Sequence, residues 1–164
     1  MRKQLLFLTL LIVIIAPVAF AATPSVRVPS DVSGPMWWDF GADNPTVIVL
    51  TPHNLVPAAN ASDNLRIGLI TQTKEAGGVY EVLTIRFKIN GILAIGSPRY
   101  GIADQEVGNW TNDVPVKVFI YNDEIEVYVG STKVWSYVAS ENIPSIDYIY
   151  ADSATYGVPA FDGS

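Results

Sequence analysis

Cysteine is absent from this chain, histidine occurs once, and charged residues make up only 16% of it. Without a thiol there is no disulfide framework, no cysteine nucleophile and no Cys-ligated zinc. A lone His53 excludes any site built on two histidines. Positive charge is also scarce. Ten Lys and Arg face 16 Asp and Glu, a net charge of −6, so a polyanion would be repelled and a nucleic-acid partner is excluded. Neither a G-x-x-x-x-G-K-S/T run nor a G-x-G-x-x-G run occurs, so no phosphate-cradling glycine loop is offered. Helical periodicity is missing as well. What is present is an apolar composition, 49% hydrophobic with 11% aromatic, which suits a packed core and argues against disorder.

The N-terminus reads as a targeting segment. Met1-Arg2-Lys3 is a short positive head, residues 4–20 are uncharged and apolar, and Ala19-Phe20-Ala21 supplies the small residues a signal peptidase requires. This predicts a signal peptide over residues 1–21 and a secreted product, extracellular or at the cell surface, with no membrane association after cleavage. A run of about 17 residues is also at the lower limit of a bilayer-spanning helix, so a retained anchor is the competing reading. A pilin-type leader cut after Lys3 is a third. Loss of Arg2 and Lys3 on cleavage would leave the chain more acidic still. Asn60-Ala61-Ser62 and Asn109-Trp110-Thr111 are glycosylation sequons if the chain is exported, and ordinary loop sequences otherwise.

Residues 22–35, interrupted by Pro24, Pro29 and Pro35, predict an extended arm or edge strand. Residues 36–164 show no repeat, low-complexity tract or charge block and predict a single domain. Within them, β-branched and aromatic runs alternate with turn residues at 36–40, 46–51, 65–73, 79–89, 92–95, 116–121, 124–129, 133–138 and 146–150. With no helix to cross between parallel strands, this pattern predicts an all-β, antiparallel sandwich or barrel. Asn90-Gly91 predicts a two-residue hairpin turn that sets Ile89 opposite Ile92 and Phe87 opposite Ala94. Gly77-Gly78 suggests a looser turn. Asn122-Asp123 predicts a hairpin pairing Ile120 with Ile125, Val118 with Val127 and Val116 with Val129, one continuous aliphatic face. The opposite face then carries Lys117, Phe119, Tyr121, Glu124, Glu126 and Tyr128.

The stretch from Val116 to Gly130, followed by Lys133-Val134-Trp135-Ser136 and by Ile146-Asp147-Tyr148-Ile149-Tyr150, resembles the concanavalin A-like jelly rolls. That superfamily includes laminin G-like domains, legume-type lectins and several glucanases. Leu65 to Ile70 and Tyr80 to Ile89 are similar to its earlier strands. The resemblance implies an antiparallel jelly-roll β-sandwich and contact with glycans. It carries over no catalytic residue, because the acidic motif of the glucanases is missing, and no calcium-binding run is evident although Asp39, Asp43 and Asn44 lie close together.

Candidate residues follow from these patterns. Phe119, Tyr121 and Tyr128 offer aromatic planes for the C–H faces of sugars, with Glu124 and Glu126 as hydroxyl acceptors, unless a further layer covers them. Glu124 and Glu126 lie about 7 Å apart along one strand, a spacing open to glycoside hydrolysis or to a plain solvated acidic face on which Lys117 would pair with them. Trp37 and Trp38 must point to opposite sides; both are candidates for the outward indole, Trp38 first, and that indole joins Trp110 as a second binding surface. His53 is expected to be an ordinary hydrogen-bonded side chain. No catalytic residue, metal ligand or cofactor is expected. The leading reading is a secreted, non-catalytic module binding a glycan or a cell-surface protein. The alternatives are a subunit of an extracellular filament or surface layer that self-assembles through the N-terminal arm, and a glycoside hydrolase.

Overall fold

The computed structural model describes residues 26–28, 36–53, 63–88, 91–152 and 161–163. The expected signal segment 1–21, most of the arm, Asn60, Ile89 and Asn90 lie outside the described residues. In chain order the strands are β1 (Val26–Val28), β2 (Met36–Ala42), β3 (Thr46–Pro52), β4 (Asp63–Ile70), β5 (Glu81–Lys88) and β6 (Ile92–Ser97). They continue as β7 (Ile102–Asn109), β8 (Val116–Tyr121), β9 (Glu124–Val129), β10 (Thr132–Val138), β11 (Ile146–Asp152) and β12 (Phe161–Gly163).

Strict alternation in β8 and β9 builds the centre of the first sheet. The two strands pair Val116 with Val129, Val118 with Val127 and Ile120 with Ile125, as the Asn122-Asp123 turn predicts. Asn122 adopts the positive φ (53°) that a tight hairpin needs. Val116, Val118, Ile120, Ile125 and Val127 are wholly buried, and Val129 is partly buried at the rim. Sheet A has the strand order β1-β12-β3-β8-β9-β10, and sheet B the order β2-β11-β4-β5-β6-β7. Every pairing is antiparallel. From sheet B, Ile67, Leu69, Leu83, Ile85, Phe87 and Ile95 meet the aliphatic row of sheet A, and the result is an all-β jelly-roll sandwich.

Several expectations are corrected. In the β5–β6 hairpin Phe87 lies opposite Leu93, and Arg86 opposite Ala94, one residue out of the predicted register. Phe87 and Leu93 are both fully buried, whereas the predicted partner Ala94 belongs to the other face, so the shift keeps both large side chains inside. Gly91 has a positive φ (75°), and the rest of the predicted turn lies outside the described residues. The predicted strand over 65–73 stops at Ile70, and the one over 79–89 starts at Glu81, because Gly78–Tyr80 forms a 3₁₀ turn. β7 was not expected: its sequence, IADQEVGN, lacks a β-branched run and is bulged at two places against β6. β12 was not expected either. It receives the described part of the N-terminal arm as β1 within the same chain, antiparallel, with Val26 opposite Gly163.

Two side chains lock the ends of the sandwich. Asn44 donates to the carbonyls of Asn122 (2.7 Å) and Ile143 (2.9 Å) and accepts from the Asn122 N–H, tying the β2–β3 turn to the β8–β9 turn. Trp110 is the second. It was expected at the surface but is only 4% exposed, with its ring edge-on to Phe87 and its indole N–H donating to the Lys88 carbonyl at 3.0 Å. An indole of that size just after an edge strand closes the core more effectively than it could serve a ligand.

Ile125→Ala should cost about 2–5 kcal/mol of unfolding free energy, the usual penalty for emptying a packed interior site. Urea denaturation measures it, and a loss below about 1 kcal/mol would contradict a tightly packed aliphatic seam.

Candidate functional site

A sandwich has two outer faces, and in this chain they differ in chemistry. On sheet A the alternation that buries Val118 and Ile125 turns Phe119, Tyr121, Glu124, Glu126 and Tyr128 outward, and all five are partly exposed. Phe119 meets Tyr128 edge-on at 5.3 Å. Glu126 is the hub. It accepts hydrogen bonds from Lys133 Nζ (2.8 Å), from the Tyr128 hydroxyl (2.8 Å) and from Tyr121. The expected partner Lys117 is not the one used; the turn between β9 and β10 sets Lys133 opposite Tyr128, just before a register shift between Lys133 and Trp135. These donors, Lys133 foremost, hold the Glu126 carboxyl below its ordinary range. Partial desolvation and the bond to Glu126 push the Tyr121 hydroxyl up to about 12. A carboxylate held ionised in this way is poorly suited to act as the proton donor of a glycoside hydrolase.

The outer face of sheet B carries the denser polar arrangement, and nothing in the simple alternation of the sequence announces it. Leu83, Ile85 and Phe87 face the core, so Thr84, Arg86 and Lys88 face outward. Glu81 would by alternation join Leu83 inside. Instead Leu69 pairs with Leu83 and Ile70 with Glu81, so Val82 is an extra residue, and this bulge turns Glu81 onto the outer face. There the Glu81 side chain, 0% exposed, accepts from Arg66 (2.6 Å) and from the Thr84 hydroxyl (2.6 Å). A charge so deeply buried requires partners of this kind.

Space for that carboxylate comes from Gly68, where a Cβ would sit 2.9 Å from Glu81 Oε1. The device is repeated two strands away. Gly96 leaves room for Asp104, whose Oδ1 would collide with a Cβ there, and Asp104 Oδ2 lies 2.8 Å from Arg86 Nε. Each unit is therefore a glycine seat, a carboxylate lying on the sheet and an arginine clamped by it. Arg66 and Arg86 are directly opposite across β4 and β5, a like-charge pairing that the two carboxylates make tolerable. Lys88 pairs with Glu106 at 3.1 Å on the same face. Tyr150, 6% exposed, donates to Asp152 (2.9 Å), lies under the Arg66 guanidinium (5.5 Å to the ring centre) and contacts Trp37 (4.8 Å between ring centres). Burial and the bond to Asp152 push the Tyr150 hydroxyl up to about 12.

The tryptophan pair is arranged in the sense opposite to the expectation from sequence. Trp38 lies opposite Ile149 and packs on the core, whereas Trp37 lies opposite Tyr150 and turns outward. Asn109 is exposed at the end of β7. His53 is tied through Nδ1 to the Asp113 carboxylate in the loop before β8. Among the described residues no group of three or more His, Asp or Glu is arranged to hold a metal ion.

No family model matches this sequence, and no curated protein matches it. Solved structures do. Sheep galectin-11, solved as a complex with glycerol, superposes with a TM-score of 0.54 at 14% identity, covering 81% of this chain and 99% of that one. Chicken galectin 2 gives 0.52 at 12% identity, covering 80% and 98%. Human galectin-16 gives 0.51 at 12% identity, covering 88% and 96%. The fold is the galectin-type jelly roll. Both outer faces are presented on this galectin-type frame.

The Glu126 hub generates a pH-dependent prediction. Because the carboxyl is held below its unfolded value of 4.5, its contribution to stability is complete above that value and fades as the pH falls below it. Glu126→Gln should lower the melting temperature at pH 7, with the gap to the parent chain closing toward pH 3. A gap that stays constant across that range would show that Glu126 is not the ionised hub.

Proposed function

We propose that the chain is an exported, non-catalytic glycan-binding module whose ligand lies on the outer face of sheet B. The observation that carries this reading is the pair of glycine-seated carboxylates, each clamping an arginine, with the two arginines directly opposite on the adjacent strands β4 and β5. A sugar hydroxyl both donates and accepts hydrogen bonds. Guanidinium N–H groups and carboxylate oxygens held side by side serve both roles, and their mutual clamping reduces the conformational entropy lost on binding. Arg66, Arg86 and Lys88 on this face are each matched to a carboxylate within 3.1 Å, so the face does not act as an anion trap, in keeping with a chain of net charge −6. The galectin-type fold supports the same reading. Export is supported by the positive head, the apolar run and the Ala19-Phe20-Ala21 pattern.

On a glycan array, Arg86→Ala and Gly96→Ala should each reduce binding at least about tenfold, equivalent to ~1.4 kcal/mol, with the fold retained by circular dichroism. Unchanged binding in both, or abolition by Phe119→Ala instead, would move the site away from sheet B. Mass spectrometry of the protein recovered from the medium of its native host should give an N-terminus at Ala22. A chain that starts at Met1 or Gln4 would overturn cleavage by a signal peptidase.

A further inference from the structure

The strand register lines up the outer face of sheet B into rows that cross the strands. In one row Trp37 lies opposite Tyr150, Tyr150 opposite Gly68, Gly68 opposite Thr84 and Thr84 opposite Gly96, so a single line runs from β2 through β11, β4 and β5 to β6. The neighbouring row runs Asp152, Arg66, Arg86, Ala94 and Glu106. The chemistry along these rows is graded. Outward aromatic side chains occur on β2 and β11, and β7, which flanks the charged end, contains none. Tyr150 is nearly buried, and of the two partly exposed rings at that end Tyr148 lies beneath the Lys74 ammonium, 5.2 Å from the ring centre, whereas Trp37 packs on Tyr150.

We propose that Trp37, backed by Tyr150, is the stacking end of an elongated site whose hydrogen-bonding end is Arg66 and Arg86, and that the site selects linear, uncharged oligosaccharides over single sugars. This rests on the glycan-binding reading of sheet B. Three inter-strand steps separate β2 from β5, about 14 Å at ~4.8 Å per step. A pyranose ring is about one step wide, so one ring cannot touch both ends and about three in a line can. An indole plane receives the C–H face of a pyranose while its hydroxyls lie toward the sheet. Uncharged sugars are favoured because Arg66, Arg86 and Lys88 are each neutralised by a carboxylate, and Asp152 adds a further negative charge beside Tyr150.

The test is calorimetric titration with linear β-glucan, β-galactan and chitin ladders from disaccharide to hexasaccharide, using the full secreted chain. The parent protein should bind a tetrasaccharide about five- to tenfold more tightly than the disaccharide of the same ladder. Trp37→Ala should bring that ratio close to one and Trp37→Phe should restore most of it, whereas Arg86→Ala should weaken both lengths and leave the ratio in place. A parent chain with no length dependence, or a ratio unchanged in Trp37→Ala, would overturn the elongated site while leaving glycan binding intact. Failure of the parent chain to bind any ladder or any arrayed glycan would remove both readings together. Thermal unfolding of Trp37→Phe within a few degrees of the parent establishes that the indole is not merely structural.

Discussion

Burial of the branched aliphatic row of β8 and β9 against Ile67, Leu83, Ile85 and Ile95 of the opposing sheet is the contact on which the other features depend. A chain with no cysteine has no covalent staple, so the two sheets hold together by removing apolar surface from water and by their ladder hydrogen bonds. Period-two alternation then has a second effect. For each residue driven inward on β8, and on β5 beyond the Val82 bulge, its neighbour is driven to the outer face, so the packing that stabilises the domain also determines which side chains line that face. The aromatic–carboxylate hub on sheet A and the arginine–carboxylate units on sheet B are complements of the same interior.

The arginine units show how backbone irregularity and side-chain size cooperate. A single extra residue at Val82 reverses the direction of Glu81, and two glycines provide the room in which Glu81 and Asp104 can lie flat. These glycines are used for their missing Cβ, not for unusual dihedral angles. An alanine at either position would lift the carboxylate away from its guanidinium. Polar groups on a flat sheet are otherwise free to sample many rotamers. Here Glu81 is held by Arg66 and Thr84, and Asp104 by Arg86, which restricts those rotamers before anything binds.

What could be read from the sequence follows the same physics. The β8–β9 hairpin was fully legible, because six alternating aliphatics around Asn122-Asp123 leave one register that keeps them dry. The sheet B site was not, because β5 is buried from Glu81 through Ile85 and so reads as a continuous run in which the bulge at Val82 leaves no mark. β7 was hidden for a related reason, since two bulges erase its alternation. Trp110 misled because an aromatic in a Gly-Asn-Trp-Thr context looks like a loop residue, although its indole N–H already had a buried acceptor waiting at Lys88. Trp37 and Trp38 were correctly separated onto opposite sides, but which one faced out depended on the pairing with β11, a long-range contact that local pattern does not contain.

β7 ends the order of sheet B among the described strands, and Asp104 and Glu106 on it are the carboxylates that restrain Arg86 and Lys88. An outermost strand exposes unused amide and carbonyl groups, an open invitation for a foreign chain to zip on, and negative charge along such a margin discourages that zipping. The same two acids therefore do double duty, as fasteners for the cations and as guards against clumping. Neutralising them would release the two cations and at the same stroke disarm the rim of the sheet, so neither task can be altered without the other.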